Sequence, residues 1–359
     1  MTDNPYQRLA QRLDSLPNGF PPTQDGSELR LLACLFGPEE AELAASLRLS
    51  RETPEQVASR TGCDPEQVRL MLKSMARRGL ISAGRVEDGV GYGLLPFVVG
   101  IYENQIGRLD AALALLFEDY YKKAFNGILG VSPPVHRVIP VGESVRVDLE
   151  IRPYESAAQI VANAQAWGVL DCICRKQKAL IGQACQHPID VCLAMSSKPG
   201  AFDHSSDLRA VTQDEALETL QRAARAGLVH SVSNNQRGNW YICSCCTCSC
   251  GVLRGLVELG IADVVARSPF VIQVDEARCS GCQDCLDACQ FGALSLEGIV
   301  ARVDARRCTG CGVCVLTCAE GALGLVRRPE AEIEAPPLSE DDWRLARAAA
   351  RGIDLGQVL

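Results

Sequence analysis

The chain has 359 residues, enough for two or three domains, and 47% of them are hydrophobic. Its formal net charge is −8, so no overall positive field draws in nucleic acid. No apolar run approaches about 18 residues, so no spanning helix is expected. The opening stretch MTDNPYQRLAQRLDSLPNGFPP lacks the basic-then-apolar pattern of a signal peptide.

Residues 1–26 read as an N-terminal segment. In residues 28–48 leucines and alanines recur at helical spacing, and Gly37-Pro38 breaks the run into two helices. Thr53-Pro54-Glu55-Gln56 carries an N-cap threonine, a proline at the first helical position and a capping-box glutamine. Asp64-Pro65-Glu66-Gln67 repeats that start, and the helix it opens stops at Gly79. Residues 80–96 read as a hairpin turning at Glu87-Asp88-Gly89. Helix, short helix, longer helix and hairpin over residues 27–97 are similar to the winged-helix family. The helix in the recognition position starts with Asp64 and Glu66, which would face phosphates and acceptor-rich base edges. DNA binding is therefore disfavoured, and docking or dimerisation is the expected use. Cys34 and Cys63 stand alone and are expected in the core.

Residues 98–130 read as a helical connector. Within 98–125, Ile106, Leu109, Leu113, Leu116 and Tyr120 repeat at heptad spacing, which suits packing within the domain or a homodimer seam.

The middle segment, 131–268, is cysteine-rich. Residues 145–151 alternate as a half-buried strand, and residues 155–167 read as a helix ending at Gly168. Cys172-Ile173-Cys174 is expected on a second strand, with both thiols on one face. Cys185 and Cys192 flank a turn at His187-Pro188. Thr212 caps a helix closed by Gly227, and a hairpin then runs into Cys243, Cys245, Cys246, Cys248 and Cys250. Left without a ligand, five thiols in so short a run would oxidise, so a metal is expected. The nine thiols suffice for at least one further cluster, with zinc or a reactive pair as alternatives. One cluster is expected to combine Cys172 and Cys174 with cysteines of the 243–250 run. Adjacent Cys245 and Cys246 diverge and are not expected to share one cluster. Arg175 and Lys176 follow the first pair directly, where positive charge would stabilise thiolates or hold an anionic ligand. His187 is the best candidate for a non-thiolate ligand. No phosphate loop, dinucleotide fingerprint or nucleophile triad is present.

Residues 269–328 hold two further motifs. Cys279, Cys282, Cys285 and Cys289 form one, and Cys308, Cys311, Cys314 and Cys318 the other. Each reads C-x2-C-x2-C-x3-C, the ligand run of bacterial two-cluster ferredoxins, and residues 270–327 resemble that family. The resemblance implies two [4Fe-4S] clusters. It assigns Cys279, Cys282, Cys285 and Cys318 to one, and Cys308, Cys311, Cys314 and Cys289 to the other. The proline that the family places after the fourth cysteine is replaced by Gln290 and Ala319.

Residues 329–359 read as an acidic, proline-containing linker and a short helix bearing Trp343, docked on its own chain or on a partner. The fold class expected is α+β multidomain: a winged-helix-like N-terminal domain, an α/β cysteine-rich middle domain and a C-terminal bacterial-ferredoxin-like domain. The expected function is single-electron relay between the ferredoxin pair and a middle cluster, to or from a protein redox partner. A redox-sensing regulator and an oxidoreductase with reactive thiols are the alternatives. Lack of an export pattern together with metal-patterned cysteines suits a reducing cytoplasm, and cluster lability suits an anaerobic source.

Overall fold

The computed structural model describes residues 4–145 and 150–357, and the chain divides into two compact units. The first holds residues up to 132 and those from 344 onward; the second holds residues 133–343.

In the first unit, α1 (Pro5–Asp14) buries Leu9, Ala10 and Leu13 and packs on α3 (Pro38–Ser46). Residues 1–26 therefore contribute a helix to this unit. Between these two comes α2 (Ser27–Leu35), which ends just before Gly37-Pro38. The Thr53–Gln56 capping box opens α4 (Pro54–Thr61), and Gly62, at φ 72°, closes it. The Asp64 carboxylate accepts the Gln67 amide at 2.9 Å and starts α5 (Pro65–Arg77). The hairpin follows as β1 (Ile81–Val86) and β2 (Gly89–Leu94). Glu52 joins its edge, exchanging backbone hydrogen bonds with Tyr92 at 3.0 and 2.8 Å.

The connector departs from expectation. Its helix, α6 (Ala111–Leu129), begins at residue 111 because Asp110 caps it, accepting the Leu113 amide at 2.8 Å. Ile106 and Leu109 precede the helix, so the heptad spacing crosses a helix start. Ile106, Leu109, Leu113 and Tyr120 are buried within the unit, and Leu116 is half-buried. Phe20, Phe97, Tyr102, Phe117, Tyr120 and Phe125 form an aromatic core, with Tyr102 and Phe117 stacked at 3.7 Å. Burial of each such ring is worth about 1.5–3 kcal/mol. Arg347, fully buried, donates to the carbonyls of Ile128 and Val131 (both 2.6 Å) and Pro17 (2.9 Å). It thereby satisfies carbonyls that the end of α6 leaves open. Cys34 and Cys63, expected in the core, are exposed: Leu31, Leu32 and Leu35 take the buried side of α2, and Cys63 follows the Gly62 turn.

The second unit opens with β3 (His136–Val138). The strand expected at 145–151 falls largely outside the described residues. The helix expected over 155–167 is shorter: α7 spans Ala157–Ala162, and β4 (Ala166–Leu170) follows. The Trp167 indole donates to the Val161 carbonyl at 2.9 Å, and the Gln165 amide pairs with Ser196, so the chain turns into the sheet. Cys172 and Cys174 do not lie on a strand. Sheet pairing ends at Leu170–Cys192, and Cys172 is the N-cap of α8 (Ile173–Leu180), whose run of Arg, Lys and Gln favours helix.

Beyond lie β5 (Cys192–Ser196), β6 (Arg209–Val211), α9 (Gln213–Arg225), β7 (Val229–Ser233), β8 (Tyr241–Cys245) and α10 (Arg254–Glu258). A Thr212–Glu215 capping box opens α9. The six strands run β3-β7-β8-β5-β4-β6 and every pair is antiparallel. The α/β expectation for this segment is thus corrected to α+β. Helices lie between several of the strands in sequence, yet none forms a crossover between parallel neighbours. Val161 of α7 and Leu220 of α9 meet Leu193, Val232 and Ile242 of the sheet in one core.

The ferredoxin-like segment consists of β9 (Phe270–Val274), α11 (Asp284–Ala288), β10 (Leu294–Glu297), β11 (Val300–Val303), α12 (Val313–Thr317) and β12 (Leu323–Arg327). β9 pairs with β12, and β10 with β11, both antiparallel. Arg328 ties this segment together, donating to the carbonyls of Phe270 (3.1 Å), Ala305 (3.1 Å) and Cys308 (2.6 Å). The tail is held as well: the amides of Gln236 and Arg237 donate to Pro337 and Leu338. Ser339 and Asp342 cap α13 (Glu340–Arg351), and the Trp343 indole donates to Pro134 at 2.9 Å on its own chain. Among the described residues no helix is long and apolar enough to cross a membrane.

Candidate metal centres

Two cavities lie in the ferredoxin-like segment. One is walled by Cys279, Cys282, Cys285 and Cys318, the other by Cys289, Cys308, Cys311 and Cys314. Each takes three cysteines from one motif and the last cysteine of the other. Glycine makes the tight loops possible: at Gly310 a Cβ would stand 2.1 Å from the Phe270 carbonyl oxygen. Backbone amides point at sulfur, from Ala301 to Cys279 (3.5 Å), Ala293 to Cys289 (3.3 Å) and Ala322 to Cys318 (3.2 Å). Such donors stabilise ligating thiolates and tune a cluster's potential. Burial raises Cys285, pushes Cys311 up to about 12 and drives Cys314 higher, so ionisation of these thiols is coupled to metal binding. The donor set, its number and its enclosure fit a four-iron cluster in each cavity.

The middle segment gathers its nine cysteines into two groups. Six lie close enough to perturb one another's ionisation around a closed circuit, here called the ring: Cys172 with Cys174 and Cys192, Cys192 with Cys243, Cys243 with Cys245, Cys245 with Cys250, and Cys250 with Cys174. Local structure explains the gathering. Cys243 and Cys245 alternate on β8 and so share a face. Cys192 opens β5, which pairs with β8 beside them, and the N-terminus of α8 brings in Cys172 and Cys174. Cys250 lies in the turn before α10. Hydrogen bonds from Cys174 and Cys192, with Arg175 nearby, hold Cys172 well below the usual thiol range. Sharing protons with Cys172 pushes Cys174 and Cys192 up.

The second group is Cys185, His187, Cys246 and Cys248, whose ligating atoms all lie within 4.8 Å of one another. Cys245 and Cys246, adjacent in sequence, thus stand in different groups. The Cys248 sulfur is 3.6 Å from His187 Nδ1, and the Ser249 hydroxyl donates to Cys185 at 3.5 Å. Burial opposes ionisation of Cys246, yet His187, Cys248 and Arg175 bring its thiol down to about 6. Cys246 in turn raises His187.

Arg175 is buried between the two groups. Its Nη1 donates to the Ser244 carbonyl at 2.9 Å and lies 3.8 Å from the Cys246 sulfur, while Cys172 and Cys192 also act on its charge. Lys176 is half-buried on the same helix. His136 and His230 are buried, and desolvation lowers each to about 4.

Sequence reasoning missed the role of Gln290, although its replacement of the family's proline was the available signal. The Gln290 side chain accepts the Thr247 amide at 2.7 Å and donates to the Gly227 carbonyl. It joins the residue after Cys289 to the loop between Cys246 and Cys248. The serines Ser231 and Ser249, which hydrogen-bond to Cys245 and Cys185, carried no signal in the sequence.

Residues 272–295 and residues 300–323 each match a family model described as 4Fe-4S binding domain. No curated protein and no solved structure matches the chain. The C-terminal segment is therefore ferredoxin-like, with two [4Fe-4S] clusters, and its chemistry is iron–sulfur electron transfer, which implies a protein partner.

Proposed function

We propose that the chain is a cytoplasmic three-cluster relay, with the third cluster held by four of the six ring thiols in the middle segment. The observation that carries this reading is the gathering of six largely buried cysteines at one place, brought together by the β5–β8 pairing and the start of α8, which offers more than the four thiols that a cubane takes. Electrons pass from a partner to the Cys279/Cys282/Cys285/Cys318 cluster, next to the Cys308/Cys311/Cys314/Cys289 cluster, and then to the ring. Exposure supports this order. Cys282 is open to solvent, whereas Cys289 and Cys311 border the middle segment through Gln290 and through the Val141 amide, which donates to the Cys311 carbonyl at 2.9 Å.

Residues 27–97 serve in this reading as a winged-helix-like docking module rather than a DNA reader. Glu66 neutralises Arg69, Glu40 neutralises Arg78, and Leu70 is exposed on the same helix. One observation favours a second reading, an oxidoreductase: a cubane takes four thiols and the ring offers six, which leaves a pair for disulfide chemistry.

Iron and acid-labile sulfide on anaerobically purified chain test the relay. About 12 irons are expected, and Cys174→Ser or Cys250→Ser should lower that by about four while the ferredoxin-pair spectrum persists. About 8 irons in the parent chain would sink the third cluster.

A further inference from the structure

We infer that Cys185, His187, Cys246 and Cys248 form a separate, closed zinc site, distinct from the iron–sulfur ring beside it. The argument begins with size. All four ligating atoms lie within 4.8 Å of one another. A tetrahedral zinc with bonds of about 2.3 Å to sulfur and 2.0 Å to nitrogen places its ligands roughly 3.3–3.8 Å apart. A cubane spreads its four thiolates around the outer corners of a four-iron box, which asks for a wider cage. The ring thiols come from β5, β8, the start of α8 and the turn before α10, and among the described residues only the Cys185, His187, Cys246 and Cys248 group converges so tightly.

The donor set leads the same way. Three sulfurs and one imidazole are a common structural zinc set, and four protein ligands leave no open position for a substrate. The ligands come as two short pairs, Cys185-x-His187 and Cys246-x-Cys248, from two loops that the metal would clamp together. A supporting shell is in place. Ser249 donates to Cys185 at 3.5 Å and reaches Cys248 at 3.9 Å, and Arg175 lies 3.8 Å from Cys246. Three thiolates and a divalent ion leave one negative charge, which the buried Arg175 offsets.

Surroundings also separate the two groups. Cys172, Cys192, Cys245 and Cys250 of the ring are buried and Cys174 and Cys243 half-buried, whereas Cys248 is exposed, so an ion can reach the second group after the chain has folded. The site's role follows from what it ties down. Cys246 and Cys248 lie between Cys245 and Cys250, so fixing them fixes the loop that carries two ring thiols. Cys245 on β8 and Cys250 before α10 are held by their own elements, so the zinc braces the loop between them without being needed for the ring. The inference stands independently of the relay reading.

The test is metal analysis of the full chain, purified anaerobically from cells supplied with zinc and iron. About one zinc per chain is expected beside the iron, and zinc-edge X-ray absorption should show three sulfurs and one nitrogen as its ligands. Cys248→Ser and His187→Ala should each weaken zinc retention against a chelator at least about tenfold and leave iron per chain unchanged. Cys174→Ser should do the reverse. Parent chain without zinc would overturn the inference, as would a zinc bound by oxygen ligands or iron lost from Cys248→Ser. The parent measurement decides the matter even where a variant does not fold. A failed relay reading would instead appear as low iron with zinc intact.

Discussion

Arg175 shows how one residue can serve two centres. A buried guanidinium is costly unless anionic groups face it, and here Cys172, Cys192 and Cys246 do. Two of its nitrogens, Nε and Nη2, have no hydrogen-bond partner among the described residues, so its charge rather than a full set of bonds is what it supplies. A cation beside a cluster favours the reduced, more negative state. Arg175→Gln should therefore lower the midpoint potential of the middle cluster by about 60 mV, one tenfold step for a single electron. Arg175→Lys should retain most of the parent value, and the ferredoxin pair should not move. A potentiometric titration followed by paramagnetic resonance reads all three. An unchanged potential in the glutamine variant would mean that no redox centre lies beside Arg175.

Among the elements, the two cysteine loops of the ferredoxin-like segment are nearly symmetric but unequally crowded. Gly281 and Gly310 occupy the same motif position, both with positive φ (73° and 69°). A side chain at Gly310 would meet the Phe270 carbonyl at 2.1 Å and the Ser268 hydroxyl at 2.2 Å, whereas at Gly281 the nearest atom is the Ile299 carbonyl oxygen at 2.7 Å. Ile299 lies at the exposed β10–β11 turn, while Phe270 is fully buried on β9. Gly310→Ala should thus cost more than about 3 kcal/mol and release about four irons. Gly281→Ala should cost less, because its turn can shift. Iron content and melting temperature of the two variants compare them, and equal losses would refute the asymmetry. The capped helices at Thr53, Asp64 and Thr212 were legible in the sequence, because local hydrogen bonds decide those features. The start of α8 was not legible. Cys172-Ile173-Cys174 alternates as a strand would, and only the end of sheet pairing at Leu170 shows that a helix begins there. The partition of the nine middle thiols was also hidden, since it depends on the β5–β8 pairing and on a loop returning to Cys246, both long-range contacts. Only the divergence of Cys245 from Cys246 followed from backbone geometry alone.

For the molecule as a whole, the order of the clusters depends on which one a partner can reach. Around the exposed Cys282 the surface carries Asp284, Asp287 and Glu320, all exposed, on a chain of net charge −8. Such a face attracts a cationic donor and repels an anionic one, and salt screens both effects over about 10 Å at 0.1 M. A small cationic reductant, the methyl viologen radical, can stand for the partner. Its rate of reducing the protein should fall severalfold between about 10 mM and 500 mM salt. Dithionite, an anion, should show the opposite trend. Asp284→Lys with Glu320→Lys should slow the viologen reaction and flatten its salt dependence, leaving iron content as it was. In a stopped-flow trace of the parent chain, the ferredoxin pair should be reduced before the middle cluster. If the middle cluster is reduced first, or if the charge reversals leave the viologen rate unchanged, electrons enter elsewhere and the relay does not begin at Cys282.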